Sequence, residues 1–426
     1  MAKREDVELN KYAKTLPFFG SNRHQAEKLN EQLINAAKTG NISAINKLIK
    51  KGADVNGINV NLSVFIRELN HCATGISALA AAAAAGREDT VAELLKLGAD
   101  PNACRGKTYV TPLHLTAQSY IANSETIADM LISNGAQVNI RDNEGITPLM
   151  YALSRRKYSL AEFFIKYGAD IQNVSSTGDT PLCIAAGLSD GAGLVRKLIS
   201  LGAPVDAKNK YGSTPLLMSS SAEVSEILLD HGADINVTNS YGSTPAHIAA
   251  YYGKSAILAL LLSRGADIHV ADMRGLTLLH SAVSLRCGSA NKECAKMLLD
   301  HGADINAKNW RKETPFHFAC RFMKKRLIQM MMKYSPDLNA CDEDGATPLM
   351  RLADRGMTGT MSVLTKAGAD ISIKNRYGET ALDILKSYDQ ETYEKWIRTV
   401  TVQTKKKILR REDSAQNHGD TPDFNI

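Results

Sequence analysis

Four histidines recur at one position of a repeated phrase, and histidine is a residue type that binds metals. They are His114, His247, His280 and His317, each three residues after a threonine. A zinc site needs its ligand atoms about 2 Å from one ion. Because each histidine occupies the same place in its own repeat, the four form a column with a spacing of about 10 Å, the distance between packed helices. We therefore predict a structural role, in which each side chain ties its own turn network together.

Other residues of reactive type also lack the spacing that catalysis or metal binding requires. Cys287 and Cys294 lie near His280 without the second cysteine pair of a zinc site. The aspartate of a recurring Gly-Ala-Asp phrase supplies one carboxylate per repeat, which is too few oxygens for calcium. The sequence contains no Gly-rich phosphate loop, no Gly-x-Ser-x-Gly elbow and no His-Glu-x-x-His motif. We expect no metal and no cofactor, and we predict that the chain is not an enzyme.

The elements that carry these residues repeat along almost the whole chain of 426 residues. Two phrases recur in one register, mostly at intervals of 33 or 34 residues. The first is Thr-Pro before an apolar residue, and it begins at Thr111, Thr147, Thr180, Thr214, Thr244, Thr314 and Thr347. The second is Gly-Ala-Asp-x-Asn, and it begins at Gly52, Gly98, Gly232 and Gly302. Such a chain is predicted to build an extended surface instead of one pocket.

Each repeat reads as a pair of helices, and the repeat that begins at Thr244 shows why. Threonine caps the orphan amides of a first helix, and Pro245 costs no hydrogen bond in its first turn. Small residues follow at near-helical spacing until Gly253 ends this helix. The apolar stripe 257–262 predicts a second helix that ends at Gly265. One pair cannot bury its own apolar face, so several stacked pairs must share a core.

A period near 33 residues with these two phrases resembles the ankyrin repeat. The resemblance implies an all-α ankyrin-repeat solenoid of about eleven repeats, in which stacked helix–turn–helix units carry projecting fingers shaped like β-hairpins. We place the array at residues 31–400, after a polar N-terminal capping segment at 1–30. The tail at 401–426 is basic and then has the composition of a disordered segment. The outermost repeats depart from the phrases, as expected of caps whose outer faces meet water.

Departures from the repeat point to places of special structure or function. The first finger carries an insertion at 57–74 with an apolar cluster, which predicts either a short packed helix or an extra binding element. In the ninth of the eleven repeats, which contains the Thr314 phrase, Lys312 and Ser335 stand where glycine is usual in a left-handed conformation, at a cost on the order of 1 kcal/mol each. The basic run Lys405–Arg411 is either a solvated helix face or a signal for nuclear import or anionic surfaces.

The predicted binding surface comes from the ankyrin resemblance, because partners of that family usually lie across a concave side. Fingers and the ends of first helices form that side. Carried over by position, it is rich here in tyrosine, tryptophan and arginine, which most often dominate binding energy. The predicted partner-binding residues are Tyr211, Tyr241, Tyr251, Tyr252, Arg274, Trp310, Arg311, Arg321, Phe322, Arg355 and Tyr377. The alternative is that the fingertip tyrosines only stack on neighbouring fingers.

These observations predict a non-enzymatic protein–protein interaction scaffold or adaptor that binds a partner protein on its concave face as a monomer. One alternative is a secreted ankyrin-repeat effector of an intracellular bacterium, which would act on host proteins in the host cytosol or nucleus. Another is a binder of nucleic acid or anionic surfaces. Acidic fingertip residues such as Asp272, Glu343 and Asp344 interrupt any continuous positive stripe and disfavour nucleic acid.

Composition sets the expected compartment. The seven cysteines are odd in number and scattered, which suits a reducing compartment, and we expect a cytoplasmic protein. The net charge is a modest +6. No apolar run reaches membrane length and the first residues lack an apolar signal core, so we expect no membrane partner.

Overall fold

The structure of the chain is a computed structural model that describes residues 20–58, 63–66, 71–104, 109–284 and 289–398. Contacts divide the chain into two compact units, Met1–Ser219 and Ser220–Ile426. The division falls between the helices Pro215–Met218 and Ala222–Asp230. The predicted basic run at 405–411 and the predicted tail at 401–426 lie outside the described residues, as does the start of the N-terminal segment up to residue 19.

Within the described residues, the helices fall into the eleven consecutive pairs that the sequence predicts. The first helices are Gly20–Thr39, Ala78–Ala84, Pro112–Gln118, Pro148–Ser154, Pro181–Ala186, Pro215–Met218, Pro245–Tyr252, Leu278–Ala282, Pro315–Arg321, Pro348–Ala353 and Ala381–Tyr388. The second helices are Ile42–Lys50, Glu88–Lys96, Ser124–Ser133, Tyr158–Lys166, Ala192–Ser200, Ala222–Asp230, Ser255–Ser263, Ser289–Asp300, Lys325–Met331 with a 3-10 turn at Met332–Tyr334, Thr358–Lys366, and helical backbone over 390–398. The helix Gly20–Thr39 runs through the predicted boundary at residue 30.

The Thr-Pro phrase begins the first helices in the way that its chemistry predicts. The threonine has an extended backbone, and its hydroxyl accepts the backbone N–H three residues later, as Thr180 does from Cys183 at 3.2 Å. Proline occupies the first turn, where its missing N–H would have had no partner in any case. The same cap forms at Thr147, Thr244, Thr314 and Thr347.

Small residues let the first helices stack closely inside each unit. All seven residues of Ala78–Ala84 are buried. The second helices bury one face, as Ile257, Leu258 and Leu261 do. In the second unit the apolar core continues as far as Trp396, whose indole Nε1–H donates to Ser362 Oγ at 2.8 Å. The last helical segment, 390–398, therefore packs against the tenth repeat and covers the end of this core.

The insertion in the first finger forms strands, so the interpretation of this segment as a short helix is wrong. Ser63–Ile66 pairs antiparallel with His71–Thr74, with Ser63 opposite Thr74. An isolated antiparallel bridge joins Ile58 to Ser77 on the same two arms. The two extended segments of the finger already lie side by side. The β-branched and aromatic residues at 64–66 then favour strand pairing over a helix. The prediction of an extra binding element at 57–74 stays open.

The two residues that replace glycine in repeat nine adopt the left-handed conformation that the sequence predicts. Lys312 has φ of 56° and Ser335 has φ of 51°. The corresponding fingertip position holds glycine at Gly242, Gly275 and Gly345, with φ of 75°, 73° and 74°. A side chain at such a position strains the backbone, because Cβ comes too close to the following carbonyl oxygen.

We expect Lys312→Gly to raise the free energy of unfolding by about 0.5 kcal/mol, because relief of the left-handed strain exceeds the added freedom of the unfolded chain. The midpoint of urea unfolding measures this change. Lys308→Gly is the matched control, since Lys308 is an exposed lysine of the same finger without a positive φ. The control is expected to lower stability. Equal effects of the two substitutions would contradict the assignment of strain to residue 312.

Candidate protein-binding surface

Each fingertip of the second unit is a five-residue turn closed by the side-chain oxygen of its first residue. Asn239 Oδ1 accepts the backbone N–H groups of Tyr241 at 2.9 Å and Ser243 at 3.0 Å. This is an Asx turn, which asparagine and aspartate form readily. The same pair of bonds forms at Asp272, Asn309, Asp342 and Asn375. The residue at the third position of each turn is thus held on a rigid support.

Backbone hydrogen bonds also join each fingertip of the second unit to the next. We call the five turns 239–243, 272–276, 309–313, 342–346 and 375–379 the fingertip strip. The bonds run from Met273 N–H to the Tyr241 carbonyl (3.0 Å), from Trp310 to Arg274 (3.2 Å), from Glu343 to Arg311 (2.8 Å) and from Arg376 to Asp344 (2.8 Å). The strip is therefore continuous through repeats seven to eleven.

Glycine at the fourth position of the turn allows this close approach. A Cβ on Gly242 would lie 2.8 Å from the backbone nitrogen of Met273, and one on Gly275 would lie 3.0 Å from that of Trp310. Both nitrogens are donors in the bonds between fingertips. The small residue thus serves two needs, the left-handed turn and contact with the next finger.

The aromatic fingertips point into solvent. The exposed fraction is 65% for Tyr241, 72% for Trp310 and 66% for Tyr377. Tyr211 is also exposed, and it lies in the first unit, whereas the other ten predicted binding residues lie in the second. The alternative role for the tyrosines, stacking on neighbouring fingers, stays a prediction. Met273, on the strip beside Tyr241, is also exposed, at 58%, and is not among the predicted residues.

The arginines of the strip are paired with carboxylates. Arg311 Nε lies 2.5 Å from Glu343 Oε1, and this hydrogen bond raises the pKa of the Arg311 guanidinium. Arg274 lies 3.5 Å from Asp272. The Arg311–Glu343 pair is exposed and contributes little to stability, whereas Asp272 of the other pair is buried. The strip therefore combines exposed aromatic rings with locally balanced charge.

The predicted residues at the ends of first helices are more enclosed than those on the fingertips. Tyr251 and Tyr252 pack edge to face, with ring centroids 5.0 Å apart. Arg321 pairs with the buried carboxylate of Glu313 and lies over the ring of Phe318. Burial lowers the pKa of Arg321, and the nearby Arg351 guanidinium acts in the same direction.

Arg321 is thus held by contacts within the protein, while Phe322 and Arg355, at the ends of first helices, remain accessible. Phe322 is half-buried and packs edge to face on Phe318, with ring centroids 5.9 Å apart. Arg355, in repeat ten, lies 3.6 Å from Asp354 and keeps half of its side chain exposed. The structure therefore brings Tyr241, Arg274, Trp310, Arg311 and Tyr377 onto one strip. The helix-end residues stay a separate group.

The histidine column connects first helices to the fingers of the next repeat. His247 Nδ1 accepts the backbone N–H of Thr244 at 3.2 Å, and its Nε2 lies 3.0 Å from the Leu276 carbonyl oxygen. An acceptor at Nδ1 and a donor at Nε2 define the neutral ring. His114, His280 and His317 make the same contacts. The predicted structural role of the histidines is confirmed.

Burial holds these rings in the neutral form. Desolvation lowers the pKa of His114 to about 4 and that of His280 to about 3. The pKa values of His247 and His317 are lowered for the same reason. A charged imidazolium would lose Nδ1 as an acceptor and would leave the threonine N–H without a partner.

Comparison with known proteins shows the family. A family model described as ankyrin repeats in three copies matches residues 33–142, 113–209, 182–272, 239–309 and 279–375. The chain belongs to the ankyrin-repeat family, and the predicted all-α ankyrin-repeat fold is confirmed. Ankyrin repeats are protein–protein interaction modules.

Similar proteins of known name share this repeat. The chain is 29% identical to the B-cell lymphoma 3 protein homolog of Mus musculus over 225 residues, which cover 50% of this chain and 49% of that protein. It is 32% identical to the nuclear factor NF-kappa-B p105 subunit of Gallus gallus over 176 residues, which cover 40% and 18%. The crystal structure of the Bcl-3 ankyrin repeat domain has 28% identity and a TM-score of 0.45, and the match covers 52% of this chain and 99% of that one. The chain thus spans half or less of the length of these curated relatives.

Among the residues that the structure describes, no group of three or more His, Cys, Asp or Glu side chains could hold a metal ion. No helix there is both long and apolar enough to cross a membrane.

We expect acid to destabilise the protein through the histidine column. Because burial keeps the pKa of folded His114 near 4, against 6.5 for the free side chain, the unfolded state binds more protons between these values. The contribution of His114 to the free energy of unfolding is complete above about pH 6.5. It falls as the pH drops through this window, and about 3 kcal/mol of it is lost by pH 4.

Urea unfolding at pH 7.5 and pH 4.5 measures this loss, with His114→Ala as the comparison. The variant is expected to be about 1 kcal/mol less stable at pH 7.5, because it lacks the buried hydrogen bonds. It is then expected to lose about 2 kcal/mol less than the natural protein on acidification. An identical loss in both proteins would show that the histidine is not held neutral.

Proposed function

We propose that this chain is a non-enzymatic scaffold or adaptor that binds a partner protein on the fingertip strip of repeats seven to nine and the adjoining helix ends. The observation that carries the proposal is Trp310, which is 72% exposed on a turn fixed by Asn309 and by the Arg274 carbonyl. Tyr241, on the same strip, is similarly exposed. An indole in this position is available to a partner and adds nothing to the stacked core.

The energetics favour aromatic anchors on rigid turns. A tryptophan buries on the order of 150–250 Å² when a partner covers it. At about 25 cal/mol per Å², the 72% of Trp310 that is exposed is worth a few kcal/mol of apolar burial. Because the hydrogen bonds of the strip already hold the backbone, binding loses little conformational entropy there.

A monomeric adaptor in the cytoplasm is part of the same proposal. The family supports protein binding, since ankyrin repeats are interaction modules. The bacterial effector role stays a prediction. Nucleic-acid binding has less support, because Glu343, Asp272 and Asp344 lie among the arginines of the strip and pair with them.

Alanine substitution on the strip tests the proposal with a partner recovered from lysate and purified. We expect Trp310→Ala or Tyr241→Ala to cost about 2 kcal/mol or more of binding, which is nearly thirty-fold in Kd. Folding stability is expected to change by only about 0.5 kcal/mol, because neither ring packs in the core. Calorimetric titration and urea unfolding measure the two quantities.

Two control substitutions lie on second helices and remove a surface ion pair. Glu226→Ala loses the contact with Arg264, and Lys296→Ala loses the contact with Asp300. Both are expected to bind normally. If the two aromatic variants keep full affinity while deletion of residues 59–74 abolishes binding, the site lies at the inserted hairpin and the proposal is wrong.

A further inference from the structure

An open cavity of about 370 Å³ lies in the last two repeats, at the end of the second unit. Its walls come from the last two turns of the fingertip strip and from the helices Pro348–Ala353 and Ala381–Tyr388. Charged, aromatic and aliphatic side chains all contribute to it. The lining residues that matter below are Met350, Asp354, Tyr377, Glu379, Ile384 and Tyr388.

Two tyrosine rings form fixed walls of this cavity. Tyr388 lies against the backbone of Gly356, where an added Cβ would stand 2.4 Å from its Cε1 atom. Tyr377 has the Arg376 guanidinium 4.8 Å from its ring centroid, and Arg376 pairs with Asp344 at 2.8 Å. Both rings keep more than half of their surface exposed. Each ring therefore has a fixed contact within the protein and keeps surface available to a ligand.

The carboxylates around the cavity are not equally neutralised. Asp344 pairs with Arg376, and Asp354 lies 3.6 Å from Arg355. Glu379 accepts a hydrogen bond of 3.0 Å from the Asn375 amide. Among the described residues, no lysine, arginine or histidine forms an ion pair with Glu379. The cavity thus presents one carboxylate whose charge has no cationic partner there.

The remaining cation of the lining does not fill this role. The Arg351 guanidinium pairs with the buried carboxylate of Asp342 and lies 3.9 Å from Asp344. That pairing satisfies a buried charge at the base of the finger, and breaking it would be costly. Glu379 is exposed and is therefore available to pair with a cation of a ligand.

We propose that this cavity binds an arginine side chain of a partner polypeptide. Glu379 would accept charge-assisted hydrogen bonds from the guanidinium, with Asp354 as a second carboxylate at the rim. The planar guanidinium stacks well on tyrosine faces, and Met350 and Ile384 give its methylene stem an apolar contact. Arginine fits better than lysine, because its flat group can stack on a ring and donate in plane at once.

This inference rests on the proposed function, because a protein partner carries the arginine. The residues concerned are nevertheless distinct from Trp310 and Tyr241. The partner segment that reaches the cavity would extend the contact from repeats seven to nine to the end of the array. The arginine would then contribute specificity at one end of the strip.

Titration of the full chain with three short peptides tests the site without the natural partner. The peptides differ only at a central residue, which is arginine, lysine or citrulline, and tyrosine ring signals in NMR spectra report binding. Citrulline has nearly the shape of arginine without its charge. We expect the arginine peptide to bind at least about tenfold more tightly than the citrulline peptide, and more tightly than the lysine peptide.

Substitutions assign the effect to named residues. Glu379→Gln is expected to weaken the arginine peptide by about tenfold and to remove its advantage over citrulline. Glu391→Gln is the matched control, an exposed glutamate of the same repeat that pairs with Lys395 and lies outside the cavity. Trp310→Ala is expected to leave peptide binding unchanged, so failure of the proposed partner surface and failure of this site can be told apart.

Three results would overturn the proposal. The first is equal affinity for arginine and citrulline peptides, and the second is normal binding by Glu379→Gln. The third concerns the basic run Lys405–Arg411 of the chain itself. If the arginine peptide binds only after the lysines and arginines of that run are replaced by glutamine, the cavity belongs to this segment and not to a partner.

Discussion

A side-chain oxygen at the base of each finger is the interaction on which the binding surface depends. Asp272, Asn309 and Asp342 are buried, and each accepts two backbone N–H groups of its own turn. An exposed turn of five residues would otherwise lose conformational entropy without a compensating contact. With the turn closed, the backbone N–H of its second residue can bond to the preceding finger, and side chains such as those of Tyr241 and Trp310 project to solvent. The helices of the family fold form the stacked core, and these oxygens make the fingertip turns outside it rigid.

The core and the strip are coupled by hydrogen bonds and ion pairs between buried polar groups. A histidine of one repeat joins its helix cap to the last carbonyl of the next finger, as His280 does to Glu313 at 3.0 Å. The carboxylate of Glu313 in turn pairs with Arg321. Buried groups in such a network are stable only when each has its partner. The aromatic residues proposed to bind are outside the network, so evolution or design can change them without unfolding the repeat.

The sequence predicts the repeat units well, because each phrase carries local chemistry that needs no tertiary context. Thr-Pro caps a helix wherever it occurs, and glycine or its replacement at Lys312 marks a left-handed turn. The secondary structure of the inserted finger is harder to predict, because an apolar cluster of that length fits either a helix or a strand. Only the pairing of its two extended segments selects the strand. The cavity beside Tyr388 depends on its packing against Gly356, and the neutralisation of Arg321 depends on Glu313. Such contacts join residues that are distant in sequence or lie on different elements, so neither residue alone predicts them.

Amide hydrogen exchange of the fingertips tests the central claim most directly. The backbone N–H groups of Met273, Trp310, Glu343 and Arg376 bond to the preceding finger, although their side chains lie at the surface. The account predicts that these amides exchange far more slowly than unstructured ones, at rates similar to those of first-helix amides in the same repeat. Exchange at the rate of an unfolded chain would contradict a rigid strip, and binding would then have to include the ordering of the fingers.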